Sequence, residues 1–166
     1  MPKICFIGAG STIFVKNVLG DCMCSDVLKG STLRLIDIDP VRLDDSYKML
    51  FALNDVLKSN MTIEPYGAAD AEKAFAGAQY VVNAIQVGGY KPSTVIDFEI
   101  PKKYGLRQTI GDTLGIGGIF RAMRTYPVIL AYCRIMEKVC PDALFLNYTN
   151  PMAILSGALQ RNVDLP

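Results

Sequence analysis

The sequence of 166 residues contains no histidine. Histidine is the commonest general base in enzymes and the commonest protein ligand of transition metals. A reaction carried out by these residues alone must therefore use other bases and other metal ligands.

Long apolar runs and an excess of charge are missing as well. No apolar stretch approaches the roughly 18 residues of a membrane helix, and the run near the N-terminus is too short for a signal peptide. The net charge of +1 gives no indication of a nucleic-acid partner. The five cysteines are an odd number without a secretion signal, so free thiols are expected. These features predict a cytoplasmic protein with neither a membrane nor a nucleic-acid partner.

The composition and the order of elements indicate one folded α/β domain spanning residues 1–166. Half of the residues are hydrophobic (51%) and 20% are charged, which suits a globular core. Short apolar strands are expected over 3–7, 32–36, 61–64, 80–85 and 143–148. Helices are expected over 11–23, 42–57, 70–75, 93–104, 119–139 and 151–160. This alternation predicts a Rossmann-type, doubly wound parallel sheet.

Some boundaries are expected from single residues. Pro65 places the third strand near a sheet edge, since proline cannot donate to the ladder. Pro127 is expected to kink or restart the long helix. The four glycines between residues 111 and 118 predict a loop there.

A glycine motif between the first strand and the first helix indicates a dinucleotide site. Gly8 allows a tight turn, and Gly10 has no side chain to hold off a pyrophosphate. The N–H groups at the helix start would face the phosphates, with hydroxyl contacts from Ser11 and Thr12. Ile13 replaces the third glycine of the motif, so the motif is weak evidence by itself.

An acid at the end of the second strand strengthens this interpretation. Asp37 is placed to accept hydrogen bonds from the adenine ribose and to repel a 2′-phosphate, which favours NAD over NADP. The other interpretation of Asp37 is a helix cap. Asp39, which directly precedes Pro40, is the better capping candidate.

Amide side chains lie near the ends of the fourth and fifth strands, where ligands bind in open α/β sheets. Asn83 and Gln86 either contact a ligand or satisfy their own turn. Asn150, directly before Pro151, either lies beside the nicotinamide or forms an ordinary turn. The residues alone do not decide between these interpretations.

Three charged residues in and after the glycine-rich segment are further candidates. Asp112 could reach the active site. Arg121 and Arg124 lie on one helical face and either contact a substrate or a subunit or form a solvated basic face, the latter being favoured for Arg124.

Taken together, five segments resemble glycoside hydrolase family 4. They follow the family's order and cover essentially the whole chain: FIGAGST at 6–12, DID at 37–39, GG at 88–89, DTLGIGGIFRAMRT at 112–125 and LNYTNPM at 146–152. The fourth segment is most similar to the α-galactosidase branch. The resemblance implies the NAD-binding portion of a glycosidase that acts on α-galactosides.

The resemblance also implies a mechanism. NAD oxidises the sugar at C3, the glycosidic bond breaks by elimination, water adds and the ketone is reduced again, while a divalent metal, commonly Mn²⁺, polarises the C2 and C3 oxygens. Asn150 matches an asparagine that contacts the substrate near the metal, and Asn147 is expected beside the cofactor or in a structural role. The family's NAD segment is matched by Gly8, Gly10, Ser11 and Asp37.

The sequence departs from the family's pattern in one respect. The family's metal ligands (a cysteine and a histidine) and its tyrosine base follow the Asn-Pro helix, and this sequence has no counterpart to them. We therefore expect the metal ligands and the catalytic base to lie beyond Pro166, the last residue of this sequence. We also expect the 166 residues to be inactive alone, and the full-length protein to be a homo-oligomer acting on a small glycoside.

Two alternatives stay open. One is a lactate/malate-type 2-hydroxyacid dehydrogenase, which requires a catalytic His–Asp pair that this sequence does not contain. The other is a non-catalytic NAD-binding fragment.

Overall fold

The structure, a computed structural model, describes residues 1–111 and 113–166. Over these residues five strands form one parallel sheet in the order β3-β2-β1-β4-β5. Their bounds are β1 Lys3–Ile7, β2 Thr32–Asp37, β3 Thr62–Gly67, β4 Tyr80–Asn83 and β5 Leu144–Asn147. All carboxyl ends therefore meet at one edge of the sheet.

Helices connect the strands and confirm the predicted alternation. They are α1 Thr12–Cys24, α2 Pro40–Leu57, α3 Ala71–Phe75, α4 Val95–Lys103, α5 Gly115–Val139 and α6 Met152–Leu159. An irregular turn, Gly89–Thr94, precedes α4. Within the described ranges, none of these helices has the length and apolar character that crossing a membrane requires.

The side chains of β1 show how both faces of the sheet are covered. Ile4 and Phe6 pack with α1 and α2 on one face. Cys5 and Ile7 point to the other face and pack with α3 and α5. Because successive strand residues face opposite sides, this division confirms the doubly wound architecture.

All five cysteines are free thiols, as expected. Burial raises the pKa of Cys5 and of Cys133 to about 12, so both remain protonated at neutral pH. The thiol of Cys5 donates to the carbonyl oxygen of Ala74 at 2.9 Å, which connects β1 to α3.

Three boundary predictions need revision. The third strand runs to Gly67 and includes Pro65, although it does form the sheet edge, where proline is tolerated. The long helix continues past Pro127 without a restart, and the other expectation, a kink at Pro127, stays a prediction. The loop expected up to Gly118 is wrong in its second half, because α5 begins at Gly115.

The reason for the last difference is close packing. A Cβ atom at Gly117 would lie 2.5 Å from the backbone oxygen of Asp97, so glycine lets α5 approach α4. The N–H of Gly117 donates to Gln108 Oε1 at 3.0 Å, which satisfies one of the free donors in the first helical turn.

Candidate dinucleotide site

A cavity of about 640 Å³ opens at the carboxyl edge of the sheet. This volume is in the range of small-molecule sites, and the position is the usual one for ligands of open α/β sheets. Several of the candidate residues line it: Gly8, Gly10, Ser11, Asp37, Gln86, Arg121 and Asn150.

Gly8 forms the turn at the floor of the cavity. Its N–H donates to Ile36 O at 2.9 Å, and its φ of +89° lies in the left-handed region. An added Cβ would lie 2.8 Å from Ala84 O. Only glycine therefore fits between the ends of β2 and β4.

Gly10 is fixed by the acid at the end of β2. Its N–H donates to Asp37 Oδ2 at 2.6 Å. An added Cβ would lie 2.8 Å from the same oxygen and 3.1 Å from Arg42 Cβ. The sequence suggested that a side chain here would obstruct a pyrophosphate, but in the structure its first obstacle is the carboxylate of Asp37.

Asp37 is held on both of its oxygens. Oδ1 accepts from the N–H of Asp39 at 2.9 Å, while Oδ2 accepts from Gly10. The cap of α2 is Asp39, whose Oδ1 accepts from the N–H groups of Val41 (3.0 Å) and Arg42 (3.1 Å), as predicted. Asp37 is therefore not the helix cap, and its carboxylate lies in the cavity wall.

The start of α1 offers donors to an anion. Ser11 occupies the N-cap position without a capping hydrogen bond from its side chain, and the first turn contains no acidic residue. Thr12 does not line the cavity, because its hydroxyl lies 3.3 Å from Ser46 Oγ on α2. A contact between Thr12 and a cofactor stays a prediction.

The ends of β4 and β5 are joined by a side-chain network. Asn83, which is fully buried, donates through Nδ2 to Asn147 Oδ1 (2.9 Å) and to Thr149 Oγ1 (3.0 Å). The Thr149 hydroxyl donates to Ile85 O at 3.1 Å. Neither Asn83 nor Asn147 lines the cavity. Their direct contact with a cofactor stays a prediction.

Sequence analysis missed Thr149. It lies between Asn147 and Asn150, and nothing in the local sequence pattern distinguishes it from an ordinary turn residue. Its N–H also donates to Asn147 Oδ1, at 3.1 Å. The hydroxyl and the N–H of one residue thus fix the turn that leads to Asn150.

Asn150 lies in the cavity wall beside Arg121. The Nε of Arg121 donates to the backbone oxygen of Asn150 at 3.0 Å. The Asn150–Pro151 peptide bond is cis. Arg121 therefore belongs to the cavity, whereas the other arginine, Arg124, forms an ion pair with the buried Asp97 instead of a solvated basic face.

Tyr132, on α5, also lines the cavity. Burial, and to a smaller extent the negative charge of Asp37, raises the pKa of its phenol. The phenol therefore stays neutral at physiological pH and contributes a hydroxyl group without charge.

Three expectations concern parts of the site that the described fold does not assemble. Asp112 lies outside the described residues. Within residues 1–111 and 113–166, no group of three or more cysteine, aspartate or glutamate side chains is arranged to hold a metal ion. Pro166, which follows α6, is exposed and does not line the cavity. The catalytic base and the metal ligands expected beyond Pro166 stay predictions.

The comparisons with known proteins agree with the geometry. A family model described as family 4 glycosyl hydrolase matches residues 3–165. The chain is 60% identical over 165 residues to an α-galactosidase of Bacillus subtilis (strain 168), covering 99% of this chain and 38% of that protein. It is 36% identical over 159 residues to an α-glucosidase of Erwinia rhapontici, covering 96% of this chain and 35% of that protein.

A solved structure matches the whole fold. The 6-phospho-β-glucosidase of Thermotoga maritima, solved with manganese, NAD⁺ and glucose 6-phosphate, superposes with a TM-score of 0.84 at 25% identity. The match covers 99% of this chain and 38% of that one. The chain thus spans well under half of the length of the relatives it matches.

Proposed function

Because the chain belongs to family 4 of the glycosyl hydrolases, we propose that it is the NAD-binding part of an enzyme that hydrolyses α-galactosides. The observation that carries this proposal is the arrangement of Gly8, Gly10 and Asp37 in one cavity at the carboxyl edge of the sheet. The α-galactoside class is supported by the 60% identity to the Bacillus α-galactosidase.

The cavity residues fit a dinucleotide. The N–H groups at the start of α1 would bind the pyrophosphate, helped by the positive end of the helix dipole. Asp37 would accept hydrogen bonds from the adenine ribose, and its negative charge would disfavour the 2′-phosphate of NADP. Both of its oxygens already accept from the backbone, so the carboxylate is oriented before a ligand binds.

The redox step depends on the cofactor, and this chain supplies residues that would bind the cofactor and the sugar. When bound, NAD would serve as a reversible acceptor of hydride from C3 of the sugar. The C3 ketone would make the proton at C2 more acidic, so that the leaving group can depart by elimination, and the ketone would be reduced again after water adds. Asn150 would contact the sugar at the end of β5, and Arg121 holds the backbone of Asn150 in place.

The described residues offer no set of three or more cysteine, aspartate or glutamate side chains that could hold a divalent metal. Manganese remains an expectation for the longer protein, as do the catalytic base and a homo-oligomeric state. The cytoplasmic location and the folding of residues 1–166 as one domain also remain predictions.

The experiment compares two polypeptides on nitrophenyl α-galactoside. One has these 166 residues, and the other is extended to the length of the Bacillus relative. We expect the extended protein to release nitrophenol only with NAD and a divalent metal, and the shorter one to release none. In D₂O, the released galactose should carry deuterium at C2, because elimination and addition exchange that proton with solvent.

The control is the extended protein without NAD or with a chelator. Turnover that is independent of NAD would contradict the proposal, as would galactose that retains its original C2 hydrogen.

A further inference from the structure

A bidentate ion pair lies next to the cavity and has no part in the proposed chemistry. Arg124 on α5 donates from Nη1 and Nη2 to Asp97 Oδ1 (3.1 Å) and Oδ2 (2.6 Å) on α4. The side chain of Asp97 is 2% exposed and that of Arg124 is 26% exposed. Two parallel charge-assisted hydrogen bonds fix the position and the plane of the guanidinium.

The same guanidinium also contacts the cavity wall. Its Nε donates to the backbone oxygen of Val87 at 3.1 Å. Val87 and the two glycines after it line the cavity. One side chain therefore connects α4, α5 and the segment that follows β4.

The packing at Gly88 confines this segment further. Gly88 has a φ of +88°, and an added Cβ would lie 3.2 Å from Arg124 Cδ and in severe overlap with Ser93. The segment thus runs between the stem of Arg124 and the turn before α4. Its path depends on where Arg124 is held.

We infer that Asp97 and Arg124 are positioning residues that hold residues 87–89 in the shape of a dinucleotide-binding wall, an inference that rests on the proposed function. Without the charge of Asp97, a partly buried guanidinium has lost its partner and can turn away from Val87. The wall would then sample other shapes, and the affinity for the dinucleotide would fall by the fraction of molecules in the wrong shape.

The test uses the conservative variants Asp97→Asn and Arg124→Lys of this chain. Asparagine keeps the shape and removes the charge, while lysine keeps the charge and removes the donor to Val87. We expect NAD to bind about tenfold more weakly to each variant in calorimetric titrations. Hydrogen–deuterium exchange of the amides of residues 88–90 should become faster in both.

The matched control is Arg134→Ala. Arg134 lies on the same helix and pairs with Glu137 at 2.8 Å, but its side chain is 53% exposed and does not line the cavity. This variant should leave both the NAD affinity and the exchange of residues 88–90 unchanged. A merely structural ion pair would lower the melting temperature without these two specific changes.

Unchanged affinity and unchanged exchange in the folded variants would overturn the inference. If Asp97→Asn does not fold, Arg124→Lys decides alone. If the unmodified chain does not bind NAD, the proposed function fails, and the exchange of residues 88–90 still decides whether the ion pair holds the wall.

Discussion

The two ends of the cavity are built from different kinds of contact. At the end formed by β1 and β2, backbone N–H groups of Gly10 and Asp39 donate to the carboxylate of Asp37. At the end formed by β4 and β5, the side chain of Asn83 donates to the side chains of Asn147 and Thr149. The first end, here called the backbone-built end, depends on the path of the backbone. The second, here called the partner-built end, depends on hydrogen bonds between side chains. Substitutions should therefore fail for different reasons at the two ends.

The largest effect is expected at the backbone-built end, from Gly8→Ala. The methyl group would lie 2.8 Å from Ala84 O at a φ of +89°, so alanine introduces both strain and a clash with backbone. We expect the free energy of unfolding to fall by about 3 kcal/mol in urea denaturation.

The control for Gly8 is Gly105→Ala. Gly105 has a similar φ of +78°, but nothing lies within 4 Å of its added Cβ. Its cost should be conformational strain alone, about 1–2 kcal/mol. If both variants lose the same stability, the contact between β1 and β4 is not what requires glycine at residue 8.

The partner-built end is tested by Asn83→Ala, which removes the donor to Thr149 Oγ1 and one of the two donors to Asn147 Oδ1, the other being the N–H of Thr149. The loss should be about 1–3 kcal/mol of unfolding free energy. A double-mutant cycle with Thr149→Val should give a coupling of about 1 kcal/mol, since the two side chains share a hydrogen bond.

Asn54→Ala provides the reference for that cycle. Asn54 binds Ser59 and Met61 in a separate network, so its effect and that of Asn83→Ala should add. Additive effects of Asn83 and Thr149 themselves would show that the network is not cooperative.

A smaller effect on stability, but a specific one on binding, is expected from Asp37→Ala. Loss of a charged acceptor should make the free energy of NAD binding less favourable by about 1–3 kcal/mol. It should also reduce the preference for NAD over NADP. Calorimetric titration of both dinucleotides measures this. Asp39→Ala should weaken the cap of α2 and leave NAD affinity nearly unchanged, so equal losses in the two variants would count against the role of Asp37.

The smallest effect links Asp37 to the opposite wall. Burial is the main cause of the raised pKa of Tyr132, and the charge of Asp37 adds to it. Asp37→Asn should therefore lower the pKa of Tyr132, as followed by NMR of ¹³C-labelled tyrosine. Because the folded pKa is raised, the stability that Tyr132 contributes is fully present below its unfolded pKa of 10.0 and is lost as the pH rises through the folded pKa. An unchanged pKa in the variant would show that Asp37 lies too far from Tyr132 to act on it.

The backbone-built end could be predicted from the sequence, because its glycines and its acid stand at fixed places relative to strand ends. Gly8 and Gly10 follow β1, and Asp37 ends β2. Such positions follow from the chain path once the strands are identified. The physical reason for Gly10 was incomplete, since its contact with Asp37 joins residues 27 positions apart.

The partner-built end could be predicted only in part. The asparagines can be predicted because they stand at strand ends, but Thr149 and Asp97 acquire their roles from residues 66 and 27 positions away. Local spacing does not contain such pairings. The glycines at the start of α5 predict a loop because glycine is a poor helix former, whereas close packing against α4 requires glycine at residue 117.

The most direct test of the account is calorimetric titration of NAD into this chain and into Gly10→Val. The added Cβ would lie 2.8 Å from Asp37 Oδ2 and 3.1 Å from Arg42 Cβ, so the carboxylate must leave the position in which two backbone N–H groups hold it. The comparison is made on a variant that circular dichroism shows to be folded, in which the binding site for the dinucleotide should be lost. The account predicts saturable one-to-one binding of NAD to the unmodified chain and none to the folded variant. A folded unmodified chain that does not bind NAD, or a Gly10→Val variant with unchanged affinity, would contradict it.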